Sequence, residues 1–334
     1  MRKLVTLLLA LALVLMCVPA MAEDAIRIGV VYKQTGNPFF DAAVRGFEEA
    51  QGELGFEFIH NGPADGSAEG QIEIIEGYIA QEVDAIAISA NDAAAVVPVL
   101  QQAMNQGIKV VSWDSAVNPE GRNLNVDPSN AANIGRVQIE EIAKQIGGAG
   151  QIAILSAAST ADNQNTWIEY MKQTLEDEKY ADIELVTVVY GDDDTAKSYQ
   201  EMQGLIDSYP ELKGVIAPTT MGIAAAANCV KDNGLTGKIK VTGLGLPSEM
   251  ADYITEGVCE GMYLWNPIDL GYCAGYACVA MINGTFDGAI GSTFEAGRLG
   301  TREVYDDGNG NGFTIVGDPF YFTAENIAEW KDVY

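Results

Sequence analysis

The sequence predicts an α/β protein with two similar doubly wound parallel-sheet domains joined by a multi-strand hinge. Short apolar runs alternate with longer stretches in which apolar residues recur at helical spacing, as in βαβ units. This alternation restarts near residue 130, so a second unit of comparable length follows the first. A chain of about 310 residues after the N-terminal segment also exceeds what one hydrophobic core usually serves.

The N-terminal segment has the three-part layout of a secretory signal. Residues 1–3 are basic, residues 4–18 are almost wholly apolar, and Ala20-Met21-Ala22 supplies small residues for a signal peptidase. The apolar run is shorter than the ~20 residues that span a bilayer. We therefore expect a signal peptide over residues 1–22 and an exported protein. Lipid attachment at Cys17 is an alternative, although the large Leu15 and Met16 before it suit that motif poorly.

Composition indicates a globular protein and narrows its partners. The chain is 48% hydrophobic and 20% charged, with a formal net charge of -28. Such acidity argues against nucleic acid or an anionic membrane surface as a partner and is typical of a soluble protein.

Four cysteines lie outside the signal segment, at positions 229, 259, 273 and 278, and none forms a CxxC pair. We expect buried free thiols. If disulfides form, four cysteines allow three pairings, and the spacing does not choose among them.

The first domain is predicted over residues 23–128 plus 267–304. Its strands are expected at residues 26–32, 56–60, 85–89, 109–113 and 124–126, and its helices at 40–54, 68–81 and 93–106. The apolar helix 269–283 is expected to return to this domain.

The second domain is predicted over residues 129–266 plus 305–334. Its strands are expected at residues 152–156, 183–189, 214–218, 240–244 and 260–265, and its helices at 130–146, 165–176, 195–208, 223–232 and 249–256. In the last stretch, residues 294–304, 313–316 and 321–322 are expected as strands. A glycine- and asparagine-rich turn over residues 306–312 is typical of a hairpin.

Polar and aromatic residues follow the predicted strands, where parallel α/β sheets bind ligands. The candidates are Lys33, Phe39, Phe40, Asp114, Asn163, Gln164, Pro218, Thr220, Trp265 and Asn266. Amides and carboxylates can serve neighbouring sugar hydroxyls, and aromatic rings pack against the apolar faces of a sugar. Structural roles compete with this interpretation: Phe39 or Phe40 as core, Asp114 or Asn163 as a cap, and Trp265 as domain packing.

Signals for catalysis, cofactors and metals are weak. His60 is the only histidine, and the glycines at 147–150 precede a strand, whereas a phosphate loop follows one. Asp307-x-Asn309-x-Asn311-Gly312 matches the start of a calcium loop, but Asp318 stands where glutamate is expected. We expect a plain turn there, no metal, no cofactor and no enzymatic activity.

Several of these residues sit in pieces of sequence that are similar to a known family. The pieces are Lys33 with Phe39-Phe40, Gly62-Pro63 with Gly70-Gln71, Trp113-Asp114-Ser115, Asn163-Gln164-Asn165 with Trp167, Ala217-Pro218, and Leu264-Trp265. The chain resembles type I periplasmic sugar-binding proteins of ABC importers, within them the rhamnose-binding and autoinducer-2-binding group. The resemblance runs over nearly all of the chain after the signal segment.

The resemblance also bears on the ligand. Lys33, Asp114, Gln164 and Pro218 match residues that hold the ligand in autoinducer-2 receptors, but Asn163 replaces an aspartate there, and Thr219-Thr220 follows the proline. These departures favour a rhamnose-like monosaccharide, with autoinducer-2 as the alternative.

The family implies a monomer that closes around a sugar and docks on ABC permease subunits. Membrane contact is then expected only through the transporter or a lipid anchor. A chemosensory receptor and a secreted hydrolase are competing functions. A transcription repressor with this fold would carry DNA-binding helices and no export signal.

Overall fold

The computed structural model describes residues 25–334, and the predicted signal peptide over residues 1–22 lies outside them. The described chain forms two lobes, each built on a largely parallel sheet covered by helices. The predicted fold class is confirmed.

The first lobe contains a seven-stranded sheet that is antiparallel only at one edge. Its strands lie in the order β13 (Tyr305–Asp306), β14 (Gly312–Ile315), β5 (Leu124–Asp127), β4 (Lys109–Trp113), β3 (Ala85–Ile88), β1 (Arg27–Val31) and β2 (Glu57–Asn61). Its opening strands and helices are β1 (Arg27–Val31), α1 (Pro38–Leu54), β2 (Glu57–Asn61), α2 (Ala68–Ala80), β3 (Ala85–Ile88), α3 (Val97–Asn105), β4 (Lys109–Trp113) and β5 (Leu124–Asp127). The inner strands have short, continuous apolar sequences because helices cover both faces of the sheet.

The second lobe contains a four-stranded parallel sheet in the order β7-β6-β8-β9. Its elements are α4 (Ala131–Gln145), β6 (Gly150–Ser156), α5 (Asp162–Leu175), β7 (Ile183–Tyr190), α6 (Thr195–Ser208), β8 (Leu212–Ala217), α7 (Thr220–Asp232), β9 (Lys240–Gly243), α8 (Pro247–Thr255) and β10 (Gly261–Leu264). A parallel bridge between Leu244 and Tyr263 places β10 beside β9.

The chain then returns to the first lobe as far as residue 315 and crosses back to the second lobe for its last strand and helix. The remaining elements are α9 (Pro267–Ile282), β11 (Thr293–Glu295), β12 (Thr301–Glu303), β13 (Tyr305–Asp306), β14 (Gly312–Ile315), β15 (Phe320–Thr323) and α10 (Ile327–Trp330). Helix α9 packs closely on α1, since a Cβ at Gly271 would stand 2.0 Å from the carbonyl oxygen of Ala43. The apolar character of α9 therefore reflects burial against the first lobe.

Three segments connect the lobes, after β5, after β10 and between β14 and β15. The first and third are hydrogen-bonded together, because Gly317 N donates to Pro128 O at 3.1 Å.

The predicted boundary at residue 304 needs correction: β13 and β14 extend the first sheet beside β5, so residues 305–315 belong to the first lobe. Strand β15 pairs with β10 in the second lobe.

Two predicted elements also differ in the structure. Residues 294–304 form the antiparallel strands β11 and β12 rather than one strand, because a 3-10 turn over Gly297–Leu299 reverses the chain. The helix predicted from residue 93 begins at Val97, where Pro98 occupies the first turn, which tolerates proline. Before it, Asp92 accepts hydrogen bonds from the backbone of Ala94 and Ala95.

The predicted turn over residues 306–312 is a hairpin between β13 and β14. Its carboxylates accept backbone hydrogen bonds: Asp306 Oδ1 from Gly308 and Gly310, and Asp307 Oδ1 from Asn309 and Asn311. The similarity to a calcium loop thus coincides with side chains that stabilise a tight turn.

The four cysteines of the two lobes are free and buried: Cys229, Cys259, Cys273 and Cys278. Across residues 25–334, no helix combines the length and apolarity needed to cross a membrane.

Candidate functional site

The carboxyl ends of strands from both lobes meet at one cavity, which we call the inner cavity. It encloses about 350 Å³ of space between atoms, counting the part open to solvent, and about 30 Å³ of this admits the centre of a water-sized molecule. Nine of the ten predicted site residues line it: Lys33, Phe39, Phe40, Asp114, Asn163, Gln164, Pro218, Thr220 and Trp265. Residues predicted from separate strand ends therefore surround a single space.

Asp114 follows β4 in an uncommon backbone conformation. Its φ of 60° lies in the left-handed region, which aspartate tolerates better than most side chains. The side chain is 6% exposed, and its Oδ2 accepts a hydrogen bond from Ser89 Oγ at 2.8 Å. Burial raises the pKa of Asp114, while Lys33 and Ser89 act in the opposite direction. The carboxyl is thus fixed at the cavity wall.

Lys33, just after β1, reaches across to the second lobe. Its Nζ donates to Asn163 Oδ1 at 3.1 Å, and Asn163 Nδ2 donates to Asp114 Oδ1 at 3.4 Å. These three buried side chains form a polar bridge between the lobes. Asn163 is not the cap of α5, since that position is Ala161 and makes no side-chain cap bond.

A second polar link between the lobes involves Asn37 and Thr220. Asn37 caps α1 by accepting from Phe39 N at 3.0 Å, and its Oδ1 also accepts from Thr220 Oγ1 at 3.3 Å. Thr220 opens α7 of the second lobe. The N-terminal ends of α1 and α7 are therefore joined beside the cavity.

Aromatic rings form the apolar wall. Trp265 follows β10 and contacts Phe39 of the first lobe and Trp167 of the second, with ring centroids 6.2 and 5.5 Å apart, respectively. Phe40 stacks on Tyr32 at 5.7 Å and meets Trp113 edge-on at 6.0 Å. Phe40 thus combines a core role with a place in the lining.

Two buried polar atoms of lining residues have no partner within residues 25–334: Gln164 Oε1, an acceptor, and Trp265 Nε1, a donor. Unsatisfied buried polar atoms are uncommon in native proteins and cost free energy. A polyhydroxyl ligand could satisfy both, because each hydroxyl donates and accepts.

Some cavity residues were missed by the sequence predictions. Asp193, after β7, lines the cavity and accepts a hydrogen bond from Thr219 Oγ1. Burial raises the pKa of Asp193. Asp193 lies three residues after the end of β7, so the strand-end pattern of the other candidates also identifies it. The other additions are Asn37, Trp167, Thr219, Leu244 and Leu264.

Asn266 does not line the cavity. Its Oδ1 accepts from Ile268 N at 3.0 Å and Asp269 N at 3.4 Å, which makes it the N-cap of α9. A strand end that leads directly into a helix favours such a cap, and this role competes with ligand binding.

Residues 28–285 match the family model described as "Periplasmic binding protein domain". The chain belongs to this family. An ABC transporter solute binding protein from Clostridium phytofermentas with bound L-rhamnose is 41% identical, with a TM-score of 0.90 over 93% of this chain and 99% of that one.

Two further relatives extend the comparison. LsrB from Clostridium saccharobutylicum in complex with AI-2 is 22% identical, with a TM-score of 0.86 over 91% of this chain and 99% of that one. The D-ribose/D-allose-binding protein of Pseudomonas aeruginosa is 28% identical over 238 residues, which cover 69% of this chain and 73% of that protein. The chain is accordingly a sugar-binding protein of the ABC transporter class and not an enzyme.

Proposed function

We propose that the protein binds an L-rhamnose-like monosaccharide in the inner cavity and delivers it, outside the cytoplasm, to the permease of an ABC importer. The observation that carries the proposal is the ring of polar side chains that both lobes contribute around one small space. The L-rhamnose bound to the 41% identical relative supports this choice of sugar.

The lining suits a deoxy sugar for a chemical reason. Lys33, Asp114 and Gln164 offer donors and acceptors to ring hydroxyls, and bonds to the charged groups contribute about 1.5–3 kcal/mol each. L-rhamnose also carries a methyl group in place of a hydroxymethyl group. The rings of Phe39 and Trp265 provide the apolar surface on which such a methyl group can pack.

Closure of the hinge follows from the same arrangement. The Lys33–Asn163 and Asn37–Thr220 hydrogen bonds each join the two lobes at the cavity. A sugar that contacts both lobes binds the closed arrangement more tightly than an open one, so it shifts the population toward closure. The closed form is then the one that the permease recognises.

Autoinducer-2 is a second candidate ligand. Asn163 stands where the receptors that the chain resembles have an aspartate, but Asp193 supplies a second carboxylate beside Asp114 in the same cavity. Asp193 thus supplies the carboxylate that Asn163 lacks, and the cavity keeps two carboxylates that can bind a small polyol.

Calorimetric titration with L-rhamnose, L-mannose, D-ribose and autoinducer-2 tests the proposal. We expect L-rhamnose to bind most tightly. L-mannose should bind less tightly because its extra hydroxyl meets the apolar wall. Tighter binding of autoinducer-2 would transfer the assignment to the second candidate, and absence of sugar binding would reject the proposed function.

Delivery to an importer needs a separate test in cells. Deletion of the gene should abolish uptake of labelled L-rhamnose, and restoring the protein should return it. Unchanged uptake together with lost chemotaxis toward the sugar would indicate a sensor instead.

Cell fractionation with and without Cys17→Ala would show whether the chain is free or lipid-anchored.

A further inference from the structure

A second, larger cavity adjoins the inner cavity and shares part of its wall. In this outer cavity, about 360 Å³ of space admits the centre of a water-sized molecule, against about 30 Å³ in the inner one. Asp114, Asn163 and Trp167 line both cavities. A ligand in the inner cavity therefore lies next to the outer one, separated only by these side chains.

The side chains of Asp114 and Asn163, which help to separate the two cavities, are joined by a weak hydrogen bond. Asn163 Nδ2 and Asp114 Oδ1 are 3.4 Å apart, which is beyond the usual range for a strong N–H···O hydrogen bond. A ligand hydroxyl that bonds to either group, or a glycosidic oxygen that accepts from Asn163 Nδ2, could replace this contact at little cost.

Both lobes line the outer cavity, as they do the inner one. The first lobe contributes Arg122, Asn125 and Asp127, and the second contributes Asp162 and Tyr170. Carboxylates, amides, a guanidinium and an aromatic ring are the groups that recognise sugar hydroxyls and sugar ring faces. The chemical character of the outer cavity thus matches that of a carbohydrate subsite.

Two polar groups of the outer cavity have unused hydrogen-bonding capacity. Ser129 is 3% exposed, and its hydroxyl has no partner in the described part of the chain. Arg122 donates through Nε to Val117 O at 2.7 Å and through Nη1 to Gly312 O at 3.1 Å, and no bond of its Nη2 is formed within residues 25–334. These bonds fix the guanidinium in place and leave a donor for a ligand.

The charge of the outer cavity argues for a neutral ligand. Arg122 is faced by the carboxyl groups of Asp162 and Asp307, and Asp306 also lines the cavity, so carboxyl groups outnumber the guanidinium even where Asp127 holds a proton. An anionic ligand such as a sugar phosphate would meet net repulsion. A neutral sugar unit, which both donates and accepts, fits the mixed lining.

The outer cavity is open on one side. Asp162 and Thr166 on α5 are exposed to solvent, as are Asp306 and Asp307 at the hairpin, whereas Trp167 and Ser129 are buried. A ligand with one unit in the inner cavity could thus extend through the outer cavity toward solvent.

We propose that the outer cavity is a second carbohydrate subsite and that the ligands include neutral glycosides of the inner sugar, such as disaccharides. This inference rests on the proposed function and deepens it. The inner cavity holds the rhamnose-like unit, and the second unit packs on the ring of Tyr170 and bonds to Ser129, Arg122 and Asp162.

Calorimetric titration of the full protein with L-rhamnose, methyl α-L-rhamnopyranoside and rutinose, a rhamnosyl-glucose disaccharide, tests this proposal. We expect rutinose to bind at least about fivefold more tightly than L-rhamnose, from one added ring contact and its hydrogen bonds. Tyr170→Ala should weaken rutinose binding by about five- to tenfold and leave L-rhamnose within about twofold.

Phe320→Ala is the matched control, since Phe320 is 43% exposed and lines neither cavity. If Tyr170→Ala fails to fold by circular dichroism, Asp162→Asn serves in its place, because Asp162 is exposed and its replacement keeps the shape. In either variant, the affinity for rutinose should fall more than the affinity for L-rhamnose.

The outcomes distinguish the two proposals. Binding of L-rhamnose with weaker or no binding of both glycosides would overturn the second subsite and leave the proposed function standing. Equal loss of both ligands in the variant would also overturn it. Absence of binding by L-rhamnose itself would reject both proposals.

Discussion

Lys33 of the first lobe donates a hydrogen bond to Asn163 of the second across 3.1 Å, in a region where both side chains are buried. The same asparagine donates to Asp114, so one amide joins a lysine to a carboxyl. This relationship couples the positions of the lobes to the chemistry of the inner cavity, and it gives the first prediction.

Lys33→Met should weaken sugar binding while the fold is kept. The change removes a charged donor and leaves Asn163 Oδ1 and Asp114 without their cationic neighbour. We expect the dissociation constant for L-rhamnose to rise about 10- to 100-fold by calorimetry. Lys238→Met, at an exposed lysine, is the control and should bind as the parent protein does. If Lys33→Met binds L-rhamnose as tightly as the parent protein does, Lys33 does not contribute to ligand binding.

Trp265 should report ligand binding through its fluorescence. It lines the inner cavity and contacts Phe39 and Trp167, so a bound sugar changes its surroundings. Titration with L-rhamnose should change the tryptophan emission of the parent protein, and Trp265→Phe should lose most of that change. Trp330→Phe, at the C-terminal helix, should retain it. Because Trp167 also lines the cavity, a full response that persists when both Trp265 and Trp167 are changed to Phe would place the ligand elsewhere.

The free energy of unfolding should depend on pH through the ionisation of Asp127, which ends β5 just before the first segment that connects the lobes. Burial raises the pKa of Asp127 to about 7, although the bond from Asn125 Nδ2 and the charge of Arg122 oppose this, and Asp162 and Asp114 add to it. The folded state then holds a proton that the unfolded state releases at the ordinary aspartate pKa of about 3.9. The stability from this group is fully present below that value and is lost as the pH rises through about 7.

Asp127→Asn removes this loss because the amide keeps the acceptor for Asn125 and never ionises. In urea unfolding, the variant should gain stability over the parent at about pH 8 and show little gain at about pH 4. Asp182→Asn, at an exposed aspartate, is the control and should show no such difference. An equal effect of Asp127→Asn at both pH values would contradict the assignment of the shifted group.

Two glycine substitutions should have opposite effects on the free energy of unfolding. Gly243 ends β9 with a φ of 150°, and a Cβ there would stand 1.9 Å from Ala217 O. Gly243→Ala should therefore destabilise the protein by more than about 2 kcal/mol and disturb Pro218 at the cavity. Gly204 is exposed within α6 and has open space around it, so Gly204→Ala should stabilise by about 0.5–1 kcal/mol. Urea unfolding measures both, and a stable Gly243→Ala would contradict the packing.

The thiols should be inert in the folded protein. Burial raises the pKa of Cys259, Cys273 and Cys278 to about 12, so almost no thiolate is present at neutral pH. Ellman's reagent should label none of these three in the native state and all of them in denaturant. Fewer labelled thiols in unreduced denatured protein would reveal disulfides.

The sequence predicted those features that local patterns control. Apolar runs identified the inner strands, and the residues after them converged on one cavity because the carboxyl ends of parallel strands share an edge. Position at a strand end therefore predicts Lys33 and Asp114 as site residues, whereas their contact through Asn163 depends on how the two lobes pack.

The errors arose where long-range packing decides the outcome. Gly312–Ile315 joins the first sheet by pairing with β5, almost 190 residues earlier in the chain, as in Phe313 opposite Asn125. Tyr305–Asp306 then pairs with Gly312–Ile315 at the sheet edge. Asn266 has the composition of a ligand residue but serves as a helix cap. Local sequence cannot distinguish such roles, because both use the same side-chain oxygen.

The most direct test of a sugar site shared by the two lobes is calorimetric titration of the parent protein and Asp114→Asn with L-rhamnose. Asparagine keeps the shape and tolerates the positive φ, but it removes the charge and replaces one of the two oxygens that accept from Ser89 and Asn163 with a donor. We expect micromolar or tighter binding by the parent and a loss of about 100-fold or more in the variant. Equal affinities in the two proteins would contradict the inner cavity as the ligand site.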